Sequence, residues 1–154
     1  MTNETIKITP SKPNSEEAVQ LIQELEDVLN PLYPSESRHG YSVDKLIQQN
    51  VSFFIVRVDG KAAGCGGIQF YDEYGELKRM YVRPNYRGRK LGQKLVEFLC
   101  AYALKQHINI VRLETGIHQK AAIRLYESAG FVQIPPFGEY FEDPNSRCYE
   151  KQLS

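Results

Sequence analysis

Polar and apolar residues alternate from Thr5 to Thr9, which predicts a short first strand ended by Pro10 and Pro13. Ala18, Leu21, Ile22, Leu25, Val28 and Leu29 then recur at helical spacing, and Asn30-Pro31 stops that helix. Asn14 or Ser15 can cap it, with Glu17 placed for a capping box if Asn14 is the cap. Leu32 to Tyr41 holds Pro34, Ser35 and Gly40 and reads as a loop, and Val43 to Gln49 as a short second helix. The β-branched and aromatic run Val51 to Val58 predicts a strand, turned by Asp59-Gly60 into a return strand from Lys61 to Tyr71. Inside that return strand Gly64, Gly66 and Gly67 mark a bulge or a close backbone approach. Glu73 to Gly75 is a turn, and Glu76 to Val82 a third long strand broken by Arg83-Pro84-Asn85. Leu91, Leu95, Phe98, Leu99 and Tyr102 form one apolar stripe and predict a helix over Lys90 to Gln106. A strand over Ile108 to Glu114 follows, then a helix over Gln119 to Ala129 stopped by Gly130. Phe131 to Ile134 and Arg147 to Lys151 read as the last strands. The order β-α-α-β-β-β-α-β-α-β-β, with hairpins and one β-α-β crossover, predicts an α/β fold: a mixed sheet of about seven strands with helices on both faces.

Composition narrows the classes. The 154 residues show no repeat and no shift in composition, so residues 1–154 are expected to form a single domain. Nineteen basic residues balance nineteen acidic ones, which argues against a surface tuned to nucleic acid or an anionic membrane. No apolar run approaches the roughly 20 residues that span a bilayer. Met1 to Asn14 is polar and lacks a signal-peptide core. Cys65, Cys100 and Cys148 are an odd count with no CxxC, which suits a reducing compartment, and the expected location is cytoplasmic. The three thiols read as small buried hydrophobes. His39, His107 and His118 have no metal-ligand spacing, so no metal is expected.

Local charge changes the picture where overall charge does not. Lys78, Arg79, Arg83, Arg87, Arg89, Lys90 and Lys94 form a run of seven basic residues with no acidic one between. They flank a strand end, a turn and a helix start. A helix N-terminus offers unpaired N–H groups and the positive end of a dipole, so this junction suits a pyrophosphate better than a solvated basic face does. Gly88 and Gly92 would let backbone approach phosphate oxygens closely. The GxxxxGK[ST] phosphate loop is absent, and Gly64-Cys65-Gly66-Gly67 lies in a hairpin and opens no helix.

The stretch Arg87-Gly88-Arg89-Lys90-Leu91-Gly92 resembles the pyrophosphate signature of the GNAT superfamily of acetyl-CoA-dependent N-acetyltransferases. That signature is Gln or Arg, two residues, Gly, one residue, Gly or Ala, and Lys90 stands here where the family has Gly. Gln119 to Phe131 is similar to a second family segment, with Gln119 in place of the usual Asn and Tyr126 matching the tyrosine that protonates the leaving thiolate in many members. The likeness in element order covers nearly the whole chain, and the loop segments Phe137 to Tyr140 and Asp143 to Ser146 resemble a bacterial subgroup of small members. The resemblance implies acetyl-CoA as acyl donor and a primary amine as acceptor. It implies cofactor contacts from Met80, Tyr81, Val82, Arg87, Gly88, Arg89, Lys90, Leu91, Gly92 and Gln119. Backbone groups of Met80 and Val82 would pair with the pantetheine arm, and a nearby N–H would steady the developing oxyanion.

Glu76 matches the glutamate base of histone-type members, with Glu73 and Glu114 as reserves, and Tyr126 is the expected acid. Tyr126 spaced with Ala122 and Ala129 also fits a plain core aromatic, and Glu76 a plain strand-start carboxylate. On the acceptor side the resemblance sets the loops Leu32 to Tyr41 and Phe137 to Ser146, with Tyr33, Arg38, His39, Glu114 and Tyr140 as candidate contacts. The acids Glu139, Glu142 and Asp143 would suit a cationic acceptor, and Arg38 and Arg112 a carboxylate, as in an amino acid. The acceptor is thus a small-molecule or protein amine, with the protein a monomer or homodimer. Two rivals stand beside the enzyme: a sensor or scaffold that holds acetyl-CoA without turnover, and a nucleic-acid binder using the basic segment. The second is weakened by the neutral net charge and the thin aromatic support of Tyr81 and Tyr86.

Overall fold

A computed structural model describes residues 4–154; residues 1–3, the start of the polar segment Met1 to Asn14, lie outside the described residues. Seven strands form one sheet in the order β1-β2-β3-β4-β5-β7-β6. In chain order these are β1 (Ile6–Pro10), β2 (Ser52–Val58), β3 (Lys61–Phe70), β4 (Gly75–Val82), β5 (Ile110–Gly116), β6 (Val132–Ile134) and β7 (Ser146–Gln152). The helices are α1 (Glu16–Leu29), α2 (Val43–Gln48), α3 (Leu91–Lys105) and α4 (Lys120–Ser128). Every pairing is antiparallel except β4 with β5, whose crossover contains α3. This is the mixed α/β sheet with four helices that the pattern predicts, with ends shifted by one or two residues.

Ser15 is the cap of α1, its hydroxyl accepting from the Ala18 N–H at 3.1 Å. Glu17 is therefore not used in a capping box and instead pairs with Arg57 on β2 at 2.6 Å. Two apolar cores lie on the two faces of the sheet. Leu91, Leu95, Val96 and Leu99 of α3 pack with Leu77, Val111, Leu113 and Tyr149 on one face, where Ile123 and Tyr126 of α4 join them. Ala18, Leu21, Ile22 and Leu25 of α1 pack with Leu46, Ile55, Cys65 and Tyr81 on the other.

A bulge in β4 divides that strand between the two cores. Gly67 pairs with Lys78 but Cys65 with Tyr81, so β4 carries one residue more than β3 across this step. Arg79 supplies it, with φ at 55°. In a regular strand Leu77 and Tyr81 would share a face; the added residue reverses the alternation and sends Tyr81 to the α1 side. The expected close approach at the β3 glycines is real: a Cβ on Gly64 would lie 2.5 Å from the Tyr81 carbonyl oxygen.

Candidate active site

The parallel pairing of β4 with β5 covers only Gly75 with Val111 and Glu76 with Arg112. Beyond Glu76 the strands part, while β4 stays paired to β3 and β5 to β7. The β5-facing edge of β4 from Leu77 to Val82 is therefore left without a strand partner, the kind of edge an extended ligand can pair with. A cavity of about 380 Å³ opens at the gap, walled by Leu77 to Met80 of β4, Leu113 to Gly116 of β5, and Gln119, Ala122 and Tyr126 at and on α4. A second cavity of about 450 Å³ shares Arg38, His39, Tyr41, Lys78 and Tyr140 with it and adds Lys45, Tyr71, Glu76 and Glu139.

Tyr126 packs its ring edge-on to Phe131, 5.8 Å between centroids, while the residue also walls the gap. It therefore belongs both to the apolar core and to the cleft. Burial, with the negative charge of Glu114 adding to it, holds its phenol well above the ordinary range. Burial likewise raises the carboxyl of Glu114, against stabilising contributions from Ser146, His39 and Lys78. Tyr126 is thus a protonated donor, and Glu114 a carboxylate with more than usual affinity for a proton.

Glu76 is 2% exposed rather than a solvent-facing strand start. Its Oε2 accepts from the Lys78 ammonium at 2.7 Å and from the Tyr140 hydroxyl at 2.5 Å. The Lys78 ammonium also donates to the Tyr140 oxygen at 3.2 Å and sits 3.9 Å from the centre of the Tyr41 ring. Positions 76 and 78 fall on one face of β4 by the period of two, which is why the pair meets. Burial and the charge of Glu76 push the Tyr140 phenol far up, so it stays protonated as the donor. His39 bridges the two loops at the cleft mouth, 3.3 Å from Asp143 and edge-on to Tyr140 and Phe141. The Asn145 N–H, helped by Ser37 and His39, holds the Asp143 carboxyl below its ordinary range.

At the start of α3, Gly88 has φ of 81° and Lys90 φ of 60°. Lys90 thus occupies a left-handed position that favours glycine, which explains why the family signature has Gly there. Arg87 to Lys90 are exposed. Arg87 donates only to the Val82 carbonyl at 3.3 Å, and neither it nor Lys90 makes an ion pair among the described residues, so both are available to phosphate. Arg89 pairs with Glu4. Lys78, Arg79 and Arg83 do not add to this group: Lys78 pairs with Glu76, Arg79 with Glu26 and Arg83 with Glu24 on α1 at 2.8 Å.

The remaining expected residues divide by backbone and side chain. Leu91 is 2% exposed in the core and Tyr81 faces α1, donating to Glu24 at 3.2 Å, so either could meet a ligand only through its backbone. Met80 walls the cavity at the gap. A Cβ on Gly92 would approach Leu125 of α4 to 2.9 Å, so that glycine also fits α3 against α4. The Gln119 side chain accepts from the Tyr33 hydroxyl at 2.8 Å, and that oxygen accepts from the His118 N–H at 2.9 Å. Tyr33 thereby anchors the first loop to the start of α4. Arg38 donates through Nε to the Tyr33 carbonyl at 2.9 Å. Arg112 is bound to Glu150 at 2.8 Å and lies over the Tyr74 ring, away from both cavities. Tyr41, at the end of the loop expected on the acceptor side, walls both cavities. The place of Lys78 beside Glu76, rather than in the basic run at the start of α3, is what the sequence reading missed; the i, i+2 spacing of the two was its signal.

Residues 20–131 match the model of the Acetyltransferase (GNAT) family. An IAA acetyltransferase from Azospirillum brasilense is 39% identical over 150 residues, covering 96% of this chain and 98% of that protein. An acyl-CoA N-acyltransferase structure from Klebsiella pneumoniae is 36% identical, covers 97% of this chain and 98% of its own, and superposes with a TM-score of 0.83. An N-acetyltransferase from Thermoplasma acidophilum in complex with coenzyme A shares the fold, with a TM-score of 0.77 at 21% identity over 97% of this chain and 99% of its own.

Proposed function

The chain belongs to the GNAT family of acetyltransferases, with acetyl-CoA as acyl donor, and on that premise we propose that it acetylates a primary amine by direct attack within the gap between β4 and β5. We take residues 1–154 to act as one such domain. One observation carries this proposal: the parting of β4 from β5, which puts an unpaired strand edge, a buried tyrosine and a carboxylate around one cavity. Bound acetyl-CoA supplies a thioester carbonyl to be attacked and a thiolate to leave.

The residues divide the work. Arg87, Lys90 and the N–H groups at the start of α3 bind the pyrophosphate. The free edge of β4 at Met80 and Val82 aligns the extended arm, and a backbone N–H beside the bulge at Arg79 meets the developing oxyanion. An alkyl ammonium ionises near 10 and is no nucleophile at neutral pH, so a base has to take its proton. Glu76 is already engaged by Lys78 and Tyr140. Glu114 faces the cavity with Tyr126, and its raised carboxyl affinity makes it the better base. Glu76 then fixes Lys78 and Tyr140 in the acceptor wall. The Tyr126 hydroxyl hydrogen-bonds the sulfur as the C–S bond breaks and passes it a proton, and the phenol oxygen takes back the second proton that the amine nitrogen loses as the amide forms. A thiol ionises near 8.5, below this raised phenol, so the hydrogen bond carries most of the stabilisation. No acyl-enzyme is needed: burial pushes Cys65 up to about 12 and Cys148 up to about 11, leaving both as thiols at neutral pH.

The test is release of coenzyme A, followed with a thiol reagent, across a panel of amines. Tyr126→Phe should lower kcat on the order of 10²-fold or more with little change in acetyl-CoA affinity. Wild-type kcat in that variant, with chemistry limiting, would return Tyr126 to a purely packing role. A sensor without turnover would bind acetyl-CoA and release no coenzyme A with any amine.

A further inference from the structure

The charges that wall the two cavities fall mostly into closed pairs: Glu76 with Lys78, Glu26 with Arg79, and His39 with Asp143. Arg38, Lys45, Glu114 and Glu139 remain, and none of these makes an ion pair among the described residues. Of the two carboxylates only Glu114 reaches the inner cavity, with Arg38 as the cation that walls the same space. Glu114 lies on β5 in the cavity that Tyr126 closes. Lys45 and Glu139 lie only in the outer cavity, where both are exposed to solvent. Arg38 walls both cavities.

Arg38 is also oriented. Its Nε is held by the Tyr33 carbonyl at 2.9 Å, and Tyr33 is itself fixed to His118 and Gln119. That leaves the two terminal nitrogens of a positioned guanidinium without a protein acceptor among the described residues. A fork of this kind matches a carboxylate. Arg112, the other arginine that the sequence offers for this role, is closed off by Glu150.

We propose that the acceptor is a small amino carboxylate, an amino acid or a close relative, bound as its zwitterion. Arg38 takes the carboxylate, while at the rim Lys45 lies over the Tyr41 ring and its charge is opposed by that of Glu139 in the same outer cavity. The ammonium is drawn to Glu114, which removes its proton before attack. The cavity volumes of about 380 and 450 Å³ suit a small molecule rather than a protein surface. This proposal rests on acetyl transfer in the same gap.

The test compares amino acids with their decarboxylated amines and their carboxamides, reading coenzyme A release for kcat/KM. Calorimetric titration of each into the enzyme with coenzyme A gives Kd. The carboxylate should improve both values on the order of ten-fold or more over amine and amide. Arg38→Gln should collapse the ratio of amino acid to amine, and Lys45→Gln should change it far less, since Glu139 opposes that charge. Equal use of amino acids and decarboxylated amines, or an unchanged ratio in Arg38→Gln, overturns the carboxylate site while leaving acetyl transfer standing. Bound acetyl-CoA with no release for any amine overturns both.

Discussion

Replacing Lys78 with Met probes the buried charge pair that it forms with Glu76 at the outer cavity. The side chains of Lys78 and Glu76 are 6% and 3% exposed, and their atoms are 2.7 Å apart. Methionine keeps most of the length and apolar volume, but among the described residues Glu76 is left with Tyr140 as its one side-chain donor. Removing one partner of a buried pair typically costs about 3–5 kcal/mol, because the other charge stays desolvated. An independent ceiling comes from protonation: a free carboxylate with a pKa near 4.3 takes up a proton at pH 7 for about 4 kcal/mol, at 1.36 kcal/mol per pH unit. The destabilisation should therefore be about 3–4 kcal/mol at pH 7 and fall to about 1 kcal/mol near pH 5. The sign follows from linkage, since the folded variant would hold a proton that its unfolded chain releases, which favours folding as pH falls. Urea unfolding at several pH values measures it. Glu76→Gln combined with Lys78→Met should recover most of the loss. A pH-independent loss below 1 kcal/mol, with no recovery in the double variant, would show that the pair is not buried as described.

The carboxyl of Glu114 is raised by burial, so its ionisation costs stability as pH rises through that raised value. Glu114→Gln should accordingly raise Tm at neutral pH but not at pH 4, and it should remove the acidic limb of the kcat/KM profile, which in wild type lies above the ordinary carboxylate range; scanning calorimetry and coenzyme A release check the two halves. Arg87→Ala should weaken acetyl-CoA on the order of ten-fold by calorimetric titration, with Tm of the ligand-free protein unchanged. Lys90→Val places a β-branched residue at φ of 60° and should cost about 1–2 kcal/mol in urea unfolding, whereas Lys90→Gly should be tolerated.

The elements of this fold were legible because their periods are simple: the stripe from Leu91 to Tyr102 and the hairpin at Asp59-Gly60 need no tertiary context. The basic turn before α3 was legible for the same reason, through local charge and glycine. What was hidden depends on contacts distant in sequence. Nothing local says that β4 and β5 part after Glu76: the two strands lie on either side of α3 in the chain, and β5 is held along its whole length by β7 on its other edge. The bulge at Arg79 reverses the faces of β4, so the alternation within Glu76 to Val82 misassigns Tyr81 by one side. The run from Lys78 to Lys94 looks like one basic patch in the sequence, but the acids that pair with Arg79 and Arg83 lie on α1, more than fifty residues earlier. Glu76 was named from the sequence as a base, but its burial and its ties to Lys78 and Tyr140 were not visible there, because Tyr140 arrives from a loop sixty-four residues away.

Direct transfer within the gap between β4 and β5 is tested most directly by rapid-quench measurement of coenzyme A release from acetyl-CoA, with and without an amine acceptor. Release should depend on the acceptor from the first turnover, with no burst in its absence, and should fall on the order of 10²-fold or more in Tyr126→Phe. A burst equal to the enzyme concentration without acceptor would contradict it, since that would mean an acyl-enzyme on a residue that the proposed site does not contain.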